Sequence, residues 1–150
     1  MKSFITYIVW LGIFFLSIAH SIATTYYLSP EGQDNHTGQS PDQAWASLYK
    51  LNQSTFLPGD VILLKSGGIW FGHLAPKGSG SKGNPISISS YGQGNRPVIN
   101  IGETEGAGLQ LNNQSWWEIN GLEITSGAPH KLDVRRGGIM AYAEGEEGKI

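Results

Sequence analysis

Between Gly108 and Gly127 the chain reads GLQLNNQSWWEINGLEITSG, and no other stretch narrows the choice of fold as much. Its apolar residues alternate in short runs: Leu109 and Leu111, then Trp117 and Ile119, then Leu122 and Ile124. Asn112-Asn113 and Asn120-Gly121 interrupt them. Alternation with period two puts one set of side chains on one face of a strand, and Asn and Gly tolerate the positive φ of a sharp corner. Three short strands joined by tight bends, with no helix between them, describe one coil of a parallel β-solenoid.

The pattern recurs along the chain. Val61 to Leu64 and Ile86-Ser87-Ile88-Ser89 precede the stretch, and Ile139-Met140-Ala141-Tyr142 follows it. Aligned on Ile62, Ile86, Leu109 and Ile139, the repeats are 24, 23 and 30 positions apart. A second register sets Ile99-Asn100 and Ile119-Asn120 20 positions apart, each an inward Ile before an Asn at a turn. Periods of about 20 to 50 residues indicate stacked units that bury their apolar edges only against their neighbours. The longer last step is a loop insertion between Thr125 and Gly137, and insertions in solenoids gather on one side, often the binding side.

Residues 1–23 read as a removable leader. Lys2 gives a basic start, Ile8 to Ile18 is apolar but for Gly12 and Ser17, and Ser21-Ile22-Ala23 offers small residues where a signal peptidase reads. Cleavage is expected before Thr24. The apolar run is shorter than the ~18 residues of a spanning helix, so no membrane contact is expected after cleavage. The expected location is secreted, periplasmic or cell-surface. With no cysteine, the chain has no disulfide, thiolate metal site or lipid-modified cysteine. The formal charge of -2 becomes -3 without Lys2, which argues against nucleic acid or an anionic membrane as partner. Abundant glycine, 21 of 150, with only 15% charged residues, suits tight turns and half-buried strands.

Before the repeats, Thr25 to Ser29 reads as a strand and Pro30 to Gly38 as a polar loop. Asp34 and Asn35 are two oxygen donors where a calcium site needs several, so turns bonding their own backbone are the favoured reading. Ser40-Pro41-Asp42-Gln43 carries the signals of a helix start, with Ala44, Trp45, Leu48 and Leu51 along one apolar face. Such a helix would cover the open end of the first coil. Leu57-Pro58-Gly59-Asp60 is a turn, and the Gly/Ser-rich run from Lys77 to Pro85 lacks the spacing and following helix of a phosphate loop.

Several segments resemble the N-terminal part of secreted right-handed parallel β-helix proteins of the pectate-lyase-like superfamily. They are YYLSPEGQD at 26–34, the helix with Trp45, PGDVILL at 58–64, SGSKGNPISI at 79–88, RPVIN at 96–100 and WWEINGLEIT at 116–125. The resemblance implies an all-β fold, a right-handed parallel β-helix with an N-terminal capping α-helix. It divides the chain into a signal peptide at 1–23, a strand, loop and capping helix at 24–52, and the first coils at 53–150, cut short at the C-terminus. It further implies a carbohydrate-active protein with a polysaccharide or glycan as partner, either a polysaccharide lyase or a glycoside hydrolase; the alternative is a non-catalytic glycan-binding or surface structural protein.

The lyases of this superfamily use a Lys or Arg base, often with a calcium ion held by Asp or Glu, and the hydrolases use paired carboxylates. No cofactor site is evident in the chain itself; calcium is implied only for the full-length protein. No catalytic motif carries over residue by residue. The best local candidates for substrate binding are His130, Lys131, Arg135 and Arg136 in the insertion, with Tyr142 and Gln110 on the following and preceding strands. Paired arginines could fork onto a sugar carboxylate. A solvated loop with an Asp133–Arg pair describes the same residues and is favoured. Glu118 and Glu123 should face outward on either side of a bend, and of Trp116 and Trp117 one should be core and the other outward.

Overall fold

The computed structural model describes residues 22–104, 106–126 and 136–142. Among them the chain is all-β, with nine strands and one short α-helix: β1 (Thr25–Leu28), α1 (Leu48–Gln53), β2 (Val61–Lys65), β3 (Ile69–Phe71), β4 (Ile86–Tyr91), β5 (Val98–Asn100), β6 (Gly106–Asn112), β7 (Trp117–Ile119), β8 (Glu123–Thr125) and β9 (Arg136–Tyr142). The strands form three sheets, ordered β1-β2-β4-β7, β3-β5-β8 and β6-β9. Every paired strand runs parallel to its neighbour. From β4 onward the chain visits the three sheets in turn, and the GLQLNNQSWWEINGLEITSG stretch supplies one strand to each, β6, β7 and β8. Its corners are set by Asn113 at φ 55 and Gly121 at φ 71, the left-handed region that Asn and Gly reach most readily.

Parallel register places like side chains on like. Tyr26, Ile62, Ile88 and Ile119 make one inward row. Trp70, Ile99 and Ile124 make a second. Leu74, Leu109 and Ile139 make a third. Ile62, Ile88, Ile99, Leu74 and Leu109 are essentially sealed from solvent. Burying an aliphatic side chain of this size contributes about 1.5–3 kcal/mol, so the rows are the main source of stability.

The observed register corrects the one expected from spacing. Ile62 lies beside Ile88, 26 positions on, and Ile86 lies beside Trp117. Leu109 does lie beside Ile139, as aligned, but in another sheet, with Leu74 as its other neighbour. Ile99 and Ile119, aligned as Ile-Asn corners, are in different sheets, beside Ile124 and Ile88. A two-residue slip keeps every side chain on its own face, so alternation alone does not separate Ile86 from Ile88.

The helix expected from Ser40 also differs. Ser40 makes no side-chain cap, and Pro41–Gln43 is a single 3-10 turn. The carbonyls of Gln43, Ala44 and Trp45 are taken by the amides of Gly38, Gln33 and Ser29, so they are not available to propagate a helix. Trp45 instead stacks on Tyr26 at 5.1 Å and its Nε1 donates to His36 O. The α-helix starts after Ser47, whose Oγ accepts from Lys50 N at 3.1 Å. Leu48 and Leu51 then join the same apolar cluster as Leu28, Phe56, Ile62 and Leu64.

Asp34 shapes this entry. Its Oδ1 accepts from Ala46 N and Ser47 N at 2.9 and 3.0 Å, and its Oδ2 accepts from Ser47 Oγ. These bonds reach across the loop and do not close a local Asx turn. Burial opposes the charge, but the bonds from Ser47 and Ala46, with Lys50 nearby, outweigh it and hold the carboxyl below its ordinary range.

Candidate functional site

A cluster of polar side chains lies where β1, β2 and β4 end. Parallel register sets Lys65, the last residue of β2, beside Tyr91, the last of β4, and the loop after β1 brings Ser29 and Glu31 to them. Ser29 Oγ donates to Glu31 Oε2 at 2.6 Å. Lys65 Nζ donates to the same oxygen at 3.0 Å. Tyr27 meets Tyr91 edge-to-face with centroids 5.1 Å apart. Two open clefts share Glu31 and Lys65 as walls; one continues to His36 and Asp42, the other along Ser66 to Ile69.

Charge at this cluster is fixed. The hydrogen bond from Ser29, then that from Lys65 and its own backbone N–H, lower the Glu31 carboxyl to about 2. The hydrogen bond to Glu31 and its charge raise Lys65. Burial pushes the Tyr91 phenol up. A carboxyl this acidic is a hydrogen-bond acceptor at neutral pH and a poor proton donor, because general acids work best with a pKa near the working pH. The cluster can receive hydroxyl groups from a ligand; it is not an acid–base pair.

The outward carboxylates do not pair either. Glu118 on β7 lies beside Ser87, and Glu123 on β8 lies beside Val98. Both are exposed, each on a different sheet, whereas glycosidic hydrolysis needs two carboxyls flanking one bond. Among the described residues no three His, Asp or Glu side chains converge to hold a metal ion.

The outward face of the β3-β5-β8 sheet carries a different feature. Ile69 and Phe71 on β3 are 53% and 76% exposed. Phe71 continues in register to Asn100 and Thr125, and Ile69 to Val98 and Glu123. An exposed ring beside amide, hydroxyl and carboxylate groups can stack on a sugar ring while its neighbours bond hydroxyls.

Of the residues expected at the site, His130, Lys131, Asp133 and Arg135 lie outside the described residues. The backbone of Arg136 pairs with Gly106, and Tyr142 lies beside Asn112 and is exposed. Gln110, expected outward, is half-buried, and its Nε2 donates to Ala107 O at 3.2 Å. Trp117 packs edge-on to Phe56 and donates Nε1 to Gly78 O, while Trp116 is exposed; the division expected of this pair holds. His73 has Ala107 O 2.8 Å from Nδ1 and Thr104 Oγ1 2.9 Å from Nε2. It serves the loop between β5 and β6.

The Glu31 cluster was missed because its members are far apart in sequence. The available signal was the offset of 26 between Lys65 and Tyr91, the same as between Ile62 and Ile88.

No protein-family model matches the chain. A lacto-N-biosidase of Bifidobacterium longum subsp. longum is 32% identical across 71% of this chain, which spans 8% of that protein's length. The crystal structure of GH136 lacto-N-biosidase from Eubacterium ramulus, as its selenomethionine derivative, superposes with a TM-score of 0.69 at 27% identity, over 79% of this chain and 24% of that one. A rhamnogalacturonan lyase shares the fold alone, with a TM-score of 0.58 at 21% identity over 73% of this chain and 30% of that one. In sequence and in fold, then, this chain is similar to a small part of carbohydrate-active proteins.

Proposed function

We propose that the chain forms the N-terminal coils of an exported right-handed parallel β-helix protein that hydrolyses glycans. The observation that carries this reading is the set of inward rows running in parallel register through three sheets visited in turn, in a fold that superposes on lacto-N-biosidase with a TM-score of 0.69. In this reading α1 and the Trp45 segment cover the first coil. The inward residues Ile119 and Ile124, half-buried, and Ile139, 55% exposed, pack against later coils. Hydrolysis is preferred to elimination because the relatives above a quarter identity are biosidases, while the lyase is similar in fold only.

These first coils contribute binding more than bond cleavage. Glu118 and Glu123 do not pair, Glu31 is held ionised, and the outward Phe71, Asn100 and Thr125 suit a sugar ring. Catalysis by the whole protein then belongs to residues further along it. The test is product chemistry with the full-length protein on a panel of lacto-N-type oligosaccharides and uronate polysaccharides. New reducing ends without an unsaturated uronate are expected. Unsaturated products would replace hydrolase by lyase, and no turnover on any glycan would overturn the enzyme.

A further inference from the structure

The turn Leu57-Pro58-Gly59-Asp60 holds a buried carboxylate that has backbone donors but no counter-charge among the described residues. Asp60 is 2% exposed, and no other charged side chain is buried among the described residues. No cationic side chain lies within ion-pair reach of it there; the ion pair those residues contain is Lys65–Glu31. Its Oδ2 accepts from Leu57 N at 2.8 Å, closing the turn. Its Oδ1 accepts from Thr24 N, also at 2.8 Å. A buried carboxylate without a counter-charge is strongly disfavoured.

Thr24 is the residue expected, from the leader pattern, to begin the mature chain. Ile22 is 86% exposed and Ala23 is exposed as well. From Thr24 onward the backbone is fixed, because Val61 N donates to Thr24 O at 2.9 Å and β1 pairs along β2. We infer that Asp60 is the receptor for the mature N-terminus: removal of the leader between Ala23 and Thr24 leaves an α-ammonium group that pairs with the buried Asp60 carboxylate.

The chemistry is an ordinary hydrolysis by a leader peptidase. Water adds across the Ala23–Thr24 amide, the C–N bond breaks, the hydroxyl stays on the Ala23 carbonyl carbon as a carboxylate, and the protons go to the Thr24 nitrogen. One peptide N–H becomes three N–H donors with a positive charge, already at hydrogen-bond distance from Oδ1. Gly59, at φ 89, leaves room beside Ala23, whose Cβ stands 3.1 Å from where a Gly59 Cβ would be. Processing at this bond therefore supplies the counter-charge that Asp60 lacks among the described residues, and ties the first strand to the second. The inference depends on export and is independent of the glycan reading.

The test uses the exported full-length protein. Its intact mass and N-terminal sequence should begin at Thr24, and its α-amine should be acylated at least about tenfold more slowly folded than unfolded in urea, the effect of one unit of pKa. Asp60→Asn should bring the folded rate back towards the unfolded one. A mature N-terminus at any other residue, or equal acylation rates in folded and unfolded wild-type protein, would overturn the inference. The wild-type comparison decides even if the variant fails to fold.

Discussion

Glu31 shows how a single surface carboxylate is set by its neighbours. Two side-chain donors on one oxygen lower its carboxyl to about 2, against a usual 4.5. A folded pKa below the unfolded one stabilises the protein above the unfolded value, and that contribution disappears as the pH falls through the folded value. Stability of the full-length protein should therefore show a component lost between about pH 4.5 and about pH 2. In Glu31→Gln that component should be absent, as read by denaturant midpoints across the range, and added salt should shrink it in the wild type because the pair is exposed. An unchanged acid limb in Glu31→Gln would contradict the assignment. This residue was not legible in the sequence. Glu31 sits in a polar loop 34 positions from Lys65, and only the three-dimensional register joins them.

Local signals located the elements well and their ends less well. The alternating runs at 61–64, 86–89, 109–111, 117–119 and 139–142 are all within strands, because period-two burial is imposed by the backbone itself. The N-terminal helix was misplaced by its start. Ser40-Pro41-Asp42-Gln43 has the composition of a helix N-terminus, yet pairing of residues 43–45 with β1 and its loop overrides it, and Ser47 takes the capping role. Ser47→Ala should then destabilise the protein by about 0.5–2 kcal/mol, the usual range for a lost N-cap, while Ser40→Ala should leave the denaturation midpoint nearly unchanged. Equal effects at the two serines would restore the longer helix.

For the whole molecule, the strands were readable from the recurrence of apolar runs, whereas their register was not. Several pairings satisfy the same alternation, and the corner residues Asn100 and Asn120 look alike although their strands are in different sheets. Which side chains share a face, and hence which groups a glycan would meet, follows from the register alone. The chain has no cysteine, so within it nitroxide labels go only to the positions chosen. Neighbouring strands lie about 4.8 Å apart. The decisive measurement is dipolar broadening in doubly labelled full-length protein. Strong broadening is expected for Ser87→Cys with Glu118→Cys and for Val98→Cys with Glu123→Cys, whose positions are direct partners. Weak broadening is expected for Asn100→Cys with Asn120→Cys. Strong coupling in that last pair, with loss of it in the first two, would contradict the register and the fold built on it.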